Sequence, residues 1–324
     1  MKPRVFVTRK VYPAAIAILQ EDFVVDYRDT YEIADPDTLK RKLKLADGVV
    51  CQLTDAITKD ILQDADKLKV VSQVAVGHDN IDVAAATARG IVVTNTPGVL
   101  TESTADLTFA LILSVARRVP EAERYLRSGS WKRWDIDLLA GIDPHQKTLG
   151  IVGMGRIGQA VARRAAGFSM RILYSAPRRL DEALERELRA QHVPLRLLLQ
   201  QSDFVTLHVP YRESTHHLIG IDELAVMKRG AFLINTSRGS IVHEAALVAA
   251  LEEKMLSGAG LDVFEHEPKV DAGLLAMDNV VLLPHIASAT IATRTRMCTL
   301  AAENCAAVLK GVLPKNPVNV VPAP

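Results

Sequence analysis

One segment constrains the fold more than any other: Thr148-Leu149-Gly150-Ile151-Val152-Gly153-Met154-Gly155-Arg156-Ile157-Gly158. An apolar strand pattern runs straight into Gly153-x-Gly155-x-x-Gly158, and a helical pattern over 156–166 follows. In that setting the first glycine makes a tight turn, the second lets the backbone approach a pyrophosphate, and the third lets helix and strand pack closely. The N–H groups of Arg156 and Ile157 then point at phosphate from the positive end of a helix. Three spaced glycines alone are a weak signal; between a strand and a helix they predict a dinucleotide site.

The rest of the chain repeats the strand–helix alternation. Strands are predicted at 5–8, 48–52, 70–74, 91–94, 149–152, 171–174, 204–208, 231–235, 260–263 and 280–283. Helical patterns lie between most of them, for example at 13–20, 58–65, 156–166 and 244–253. This alternation implies α/β architecture with parallel sheets covered on both faces. Ten strands and 324 residues exceed one core, so two doubly wound parallel-sheet domains are expected. The turn Thr96-Pro97-Gly98 marks a boundary. Beyond it a long helix is predicted over 101–119. Its face of Leu107, Ala110, Leu111 and Ser114 suits a second subunit or a deep core of its own chain.

Composition narrows the partners. The net charge of +1 gives no basis for a nucleic-acid or anionic-membrane partner. The longest apolar stretch, 109–115, is too short to span a bilayer, and the run Val5-Phe6-Val7, closed by Arg9 and Lys10, is too short for a signal peptide. Cys51, Cys298 and Cys305 lack the spacing of a disulfide framework or a zinc site, and no HxxxH or HExxH spacing occurs, so no metal is expected. A reducing, cytoplasmic setting is expected.

The cofactor form is read one strand later, at Ile172-Leu173-Tyr174-Ser175-Ala176-Pro177-Arg178-Arg179. An NAD-selective site places a carboxylate at the tip of this strand, and none is present. Ser175 leaves room for a 2′-phosphate, with Arg178 and Arg179 to bind it. A solvated basic loop is the alternative. NADP is the expected cofactor, with NAD the other option.

Reducing a ketone to an alcohol needs a proton donor that titrates near neutral pH, a carboxylate to orient it, and a cation to grip a substrate carboxylate. Arg238 in Asn235-Thr236-Ser237-Arg238-Gly239, Glu267 after Gly260-Leu261-Asp262-Val263-Phe264, and His285 after Val280-Val281-Leu282-Leu283-Pro284 each follow a predicted strand. Ligands in open α/β sheets bind outside the carboxyl ends of strands. Taken singly, each reads equally as a surface charge, a loop acid or a turn histidine; their joint placement points to chemistry. His208 ends a strand and reads as lining the cofactor cleft, and His78 sits in a turn.

At these residues the chain resembles the D-isomer-specific 2-hydroxyacid dehydrogenase family, in its glyoxylate/hydroxypyruvate reductase branch, over nearly its whole length. The likeness also includes Val76-Gly77-His78-Asp79-Asn80-Ile81-Asp82, Thr101-Glu102-Ser103-Thr104-Ala105-Asp106, Gly260 through Pro268, and Pro284 through Thr290. It implies a flavodoxin-like substrate domain made of 1–98 and 289–324, with a Rossmann cofactor domain, 99–288, inserted. It implies that His285 is the acid/base, Glu267 its partner, and Arg238 the group binding the substrate carboxylate and carbonyl. Leu53 and the backbone of Val76 and Gly77 would meet substrate. Thr104, Val209, Pro210, Thr215, Thr236, Ser237, Asp262 and Ala287 would surround the cofactor.

The implied reaction is NADPH-dependent reduction of glyoxylate, hydroxypyruvate or a similar 2-keto acid to the D-2-hydroxy acid, in a homodimer joined through the region after Thr101. A 3-phosphoglycerate dehydrogenase-like enzyme, a sugar-acid 2-keto reductase, and a dinucleotide-sensing corepressor remain as alternatives. The chain departs from the resemblance at Gly167-Phe168-Ser169-Met170, where the family often has glycine in place of Ser169, and at Ala287, where it often has glycine as well.

Overall fold

The computed structural model describes residues 2–321. Its contacts divide the chain into two compact units, one made of the chain up to Leu100 together with the segment from Ser288 onward, the other running from Thr101 to Ala287.

The first unit holds β1 (Arg4–Val7), β2 (Val24–Tyr27), β3 (Gly48–Cys51), β4 (Val70–Gln73) and β5 (Val92–Thr94), in the order β2-β1-β3-β4-β5. Every pairing is parallel. This is the flavodoxin-like order. Phe6, Val49 and Val71 face the cluster that includes Leu39, Ile61 and Ala86, while Val5, Val7 and Val50 face Ala15, Leu19, Met297 and Ala301. Burial on both faces is why these strands are continuously apolar.

The second unit holds β6 (Thr148–Val152), β7 (Arg171–Ser175), β8 (Ala190–His192), β9 (Phe204–Leu207), β10 (Phe232–Asn235), β11 (Gly258–Leu261) and β12 (Val280–Leu282). The order is β12-β11-β10-β9-β6-β7-β8, again with every pairing parallel. Counted from β6, this is the Rossmann order with one strand added, and it reverses direction between β6 and β9. Helices Thr101–Ala116 and Arg156–Gly167 supply residues to the cluster on one face; Leu195–Gln201, Ile221–Val226 and Glu244–Glu252 supply the other.

Three expectations need correction. Two strands were not foreseen, β2 and β8, both at sheet edges. The strand expected at 260–263 runs from Gly258 to Leu261. It opens on a glycine because a Cβ at Gly258 would lie 2.3 Å from the Asn279 carbonyl oxygen. The helix expected over 101–119 ends at Ala116, and a second helix, Val119–Arg127, follows. The break lies at Arg118, in the left-handed region at φ 52°. Pro120 cannot continue the first helix, because its ring would clash with the carbonyl four residues earlier, that of Ala116. That carbonyl accepts the Ile142 N–H instead, at 2.8 Å.

Ser169 also sits in the left-handed region, at φ 52°. A side chain there costs about 1–2 kcal/mol, partly offset by the chain entropy a glycine would lose. Ser169→Gly is therefore expected to stabilise the second unit by about 0.5–1 kcal/mol, read as a rise in chemical-denaturation midpoint at unchanged slope. Among the described residues, no helix is long and apolar enough to cross a membrane.

Candidate active site

The glycine turn is built as its sequence requires. Gly153 has φ +96°, and its N–H donates to the Ser175 carbonyl at 2.9 Å. A Cβ on Gly158 would lie 2.2 Å from the Gly153 carbonyl oxygen, so helix Arg156–Gly167 packs on the turn only through glycine. A Cβ on Gly155 would meet nothing within 4 Å. No side chain caps the helix at Gly155. Open backbone on one side and uncapped first-turn amides on the other fit a pyrophosphate.

At the end of β7 the structure separates the two arginines. Arg179 donates to both oxygens of Glu185, from Nε at 2.9 Å and Nη2 at 2.7 Å. The Tyr174 hydroxyl donates to the same carboxylate at 2.6 Å. The hydrogen bond from Arg179, then that from Tyr174, brings the Glu185 carboxyl down to about 2. The pairing is therefore lost only as pH falls through about 2. Arg179 spends its fork on Glu185, whereas Arg178 is exposed and has no ion-pair partner among the described residues. Sequence reasoning treated the two as equivalent; the Asp181-capped helix Glu182–Leu188, which brings Glu185 back to the loop, distinguishes them.

Of the other expected cofactor residues, those from His208 to Thr215 follow β9, Thr236 and Ser237 follow β10, and Thr104 lies in the helix Thr101–Ala116. The His208 N–H donates to the Val152 carbonyl at 2.7 Å, and its Nε2 is buried without a partner among the described residues. Burial lowers this imidazole to about 3, so it is neutral at physiological pH and suits lining better than acid catalysis. Val209 packs against the core, and the Thr215 hydroxyl donates to the Pro210 carbonyl at 2.9 Å, closing the loop after β9. Thr108 donates to the Thr104 carbonyl at 2.9 Å, so across the 3.1 Å contact between hydroxyls it is Thr236 that donates to Thr108.

The Arg238 loop is folded by a residue that sequence reasoning passed over. The Asn235 side-chain Oδ1 accepts the Ser237 N–H at 3.0 Å and hydroxyl at 2.8 Å, and its Nδ2 donates to the Arg238 carbonyl at 2.8 Å. An asparagine closing a strand two residues before a polar turn was the available signal. Gly239 follows because a Cβ there would lie 1.8 Å from the Phe264 carbonyl carbon and 2.4 Å from the Glu265 nitrogen. The turn bearing Arg238 thus lies directly on the loop that carries Glu267.

His285 and Glu267 meet. The imidazole Nδ1 lies 2.8 Å from Glu267 Oε2, and Glu267 Oε1 accepts the Phe264 N–H at 3.1 Å. Burial acts to raise the Glu267 carboxyl. The hydrogen bond with His285, the charges of His285 and Arg238, and the Phe264 N–H outweigh it, leaving the group below its ordinary range. His285 has φ 54°, a strained conformation for a non-glycine residue. Its N–H donates to the Asp262 carbonyl at 2.9 Å. The Asp262 carboxylate accepts the N–H groups of Ile286 and Ala287, both at 2.7 Å, so Asp262 fixes the turn that presents the imidazole. Burial raises the Asp262 carboxyl despite these bonds. With Nδ1 committed to Glu267, Nε2 is left to exchange a proton.

Leu53, Val76 and Gly77 belong to the first unit, past the carboxyl ends of β3 and β4. The Val76 carbonyl accepts from Asn95 at 2.8 Å and that of Gly77 from Gln73 at 3.3 Å. Their two N–H groups have no partner among the described residues.

A Rossmann sheet with a glycine turn, and an imidazole–carboxylate pair beside an arginine at its strand ends, define a dinucleotide-dependent oxidoreductase. The family model for the D-isomer specific 2-hydroxyacid dehydrogenase NAD-binding domain matches residues 109–287. A glyoxylate reductase of Korarchaeum cryptofilum is 52% identical, over 98% of this chain and 96% of its own. A protein of Thermus thermophilus of known structure is 44% identical with a TM-score of 0.91, over 98% of this chain and 100% of its own. The NADPH-dependent glyoxylate/hydroxypyruvate reductase of Sinorhizobium meliloti, solved with NADP and malonate, is 36% identical with a TM-score of 0.89, over 98% of this chain and 97% of its own. The chain belongs to the D-isomer specific 2-hydroxyacid dehydrogenase family, and it is an enzyme with an NAD(P)-binding Rossmann domain.

Proposed function

We propose that this enzyme reduces a small 2-keto acid, glyoxylate or hydroxypyruvate, to the D-2-hydroxy acid, with NADPH as the preferred reductant. The observation that carries this reading is the 2.8 Å pair between His285 Nδ1 and Glu267 at the strand ends of the cofactor-binding sheet. The names of the relatives support the substrate class.

Bound NADPH supplies the hydride. The glycine turn at Gly153, Gly155 and Gly158 and the amides of Arg156 and Ile157 hold the pyrophosphate. Thr104, His208, Val209, Pro210, Thr215, Thr236, Ser237, Asp262 and Ala287 surround the rest of the dinucleotide. Arg238 binds the substrate carboxylate and polarises the keto oxygen with its planar fork. Protonated His285 gives its Nε2 proton to the oxygen as negative charge develops there, and Glu267 stabilises the imidazolium and fixes the ring. In the first unit, Leu53 and the unpaired amides of Val76 and Gly77 serve substrate.

Selection of NADPH follows from charge at the end of β7: the strand tip carries no carboxylate, the nearby Glu185 is paired with Arg179, and Arg178, without an ion-pair partner among the described residues, can bind a 2′-phosphate. Arg178→Ala is expected to raise the KM for NADPH about tenfold, the worth of one charge-assisted hydrogen bond, and that for NADH less than about twofold. Arg179→Ala is expected to do less, because its fork is engaged by Glu185. Initial rates with both reductants check this, and equal changes in the two constants would remove the loop from selectivity.

A homodimer fits what the helix Thr101–Ala116 leaves uncovered. It buries Ala105, Phe109, Ile112 and Val115 within its own unit, while Ala110 is exposed and Leu107 half-buried. Trp131, Trp134 and Ile136 lie exposed further along the chain. A second copy of this chain is the proposed cover, tested by light scattering. Three unpaired, buried cysteines suit a cytoplasmic setting. The activity itself is tested with a panel of 2-keto acids and both reduced cofactors.

A further inference from the structure

The loop that carries Glu267 is braced by a second histidine–carboxylate pair. Glu265 stands two residues before Glu267, and its Oε1 lies 2.6 Å from His217 Nε2. Its Oε2 accepts the Glu244 N–H at 3.2 Å, at the start of helix Glu244–Glu252. Glu244 answers by accepting the backbone N–H of Glu265 at 3.0 Å and of Asp271 at 3.1 Å. The loop is therefore tied at residues 265 and 271, on either side of Glu267.

His217 is placed for this at a conformational cost. Its φ is 50°, in the left-handed region that disfavours a histidine. Its N–H donates to the Ser240 carbonyl at 2.9 Å, two residues past Arg238. Its ring stacks on His216 with centroids 3.8 Å apart and tilts against His243 at 4.6 Å. His243 Nδ1 accepts the Ala246 N–H at 3.2 Å. His217 and His266 act to lower the Glu265 carboxyl, and the Glu244 carboxylate faces the same loop; Asp262 and Arg238 are the ionisable groups beside the His285–Glu267 pair.

We propose that Glu265 and His217 are positioning residues for the reaction: their pair holds the 264–271 loop so that Glu267 stays on Nδ1 of His285. This rests on reading Glu267 and His285 as the acid–base pair. Glu265 touches neither reacting atom; the reciprocal bonds with Glu244 hold the same end of the loop, and the Gly239 turn packs on its backbone. If the brace is cut, Glu267 is no longer kept at hydrogen-bonding distance, and His285 loses both orientation and the charge that favours its protonated form.

The test uses Glu265→Ala, Glu265→Gln and His217→Gln in the full chain. Glu265→Ala is expected to lower kcat for keto-acid reduction about ten- to a hundredfold, the scale of an ångström-level misplacement, with a smaller change in KM. The alkaline limb of the rate profile should move toward acid. The His285 ring titration, followed by NMR in cofactor-free protein, should shift in the same direction. Glu265→Gln, which keeps an acceptor for His217 or the Glu244 N–H, should recover most of the rate, and His217→Gln should resemble Glu265→Ala in milder form.

A fall in kcat matched only by a fall in melting temperature, with the alkaline limb and the ring titration unmoved in both Glu265→Ala and His217→Gln, would overturn the proposal. Glu267→Gln and His285→Ala serve as separate controls. If these two leave the rate intact, the acid–base reading itself fails; if they abolish it while the Glu265 and His217 variants leave both titrations in place, only the brace is wrong.

Discussion

His285→Ala is expected to lower kcat for 2-keto acid reduction by about two to four orders of magnitude, the usual worth of a positioned general acid. Dissociation constants for NADPH, measured by fluorescence titration, should change little, because the glycine turn and the β7 loop lie elsewhere in the sheet. The variant should also lose the alkaline limb of its rate profile, since no side chain is left to run out of protons. Glu267 adds a second, acidic signature. Its carboxyl is held below the ordinary range, so it stays ionised through neutral and mildly acidic pH. Its contribution is present above that range and lost only as pH falls through its depressed value. Wild-type rates on the acid side should therefore hold until below the ordinary glutamate range. Near-normal turnover in His285→Ala would remove the imidazole from the chemistry.

The second large effect is expected from Gly239→Ala. A Cβ at this position would stand 1.8 Å from the Phe264 carbonyl carbon, 1.9 Å from its oxygen and 2.4 Å from the Glu265 nitrogen. All three are backbone atoms, so no side chain can swing away to make room. Either the Arg238 turn or the Glu267 loop must move. Overpacking of this kind costs about 3 kcal/mol, which in a unit the size of Thr101–Ala287 lowers the melting temperature by about 6–12 °C. Activity should fall further than stability, because the displaced segments carry Arg238 and Glu267. Differential scanning calorimetry with parallel kinetics checks both; a variant with wild-type melting and turnover would mean the two loops are not packed as described.

Much of this was legible in the chain, for identifiable reasons. Gly153 and Gly158 could be read because a positive φ at the first and a close carbonyl at the second leave room for no other residue type, and Gly155 because its open backbone leaves space for a ligand. Arg238, Glu267 and His285 could be read because each follows an apolar strand, and strand ends gather ligands in parallel sheets. The missed strands are edges. β2 carries Asp26 and has no fully buried residue, and β8 is three residues long with Gln191 and His192 exposed. A strand with one neighbour and an open face does not show the apolar run of a central one. The helix break at Arg118 was hidden because the apolar periodicity runs past it; Pro120 was the clue, four residues beyond the carbonyl it would strike.

The placement of Arg238, Glu267 and His285 past strand ends was legible, and that of the groups around them was not. Asp262 was expected near the cofactor, and its carboxylate is spent on the amides of Ile286 and Ala287. Arg179 was expected on a phosphate, and it lies on Glu185. In each case the partner comes from a turn or helix whose direction no local pattern encodes. Ser169 and His285, at positive φ without being glycine, are likewise invisible to propensity and mark where tertiary contacts override it.

The most direct test of the central claim is the stereochemistry of turnover. Purified enzyme is incubated with NADPH and hydroxypyruvate, and the glycerate formed is resolved on a chiral column. The account predicts stoichiometric loss of NADPH and D-glycerate alone, with NADH slower; L-glycerate, a racemate, or no consumption of NADPH with this substrate or glyoxylate would contradict it.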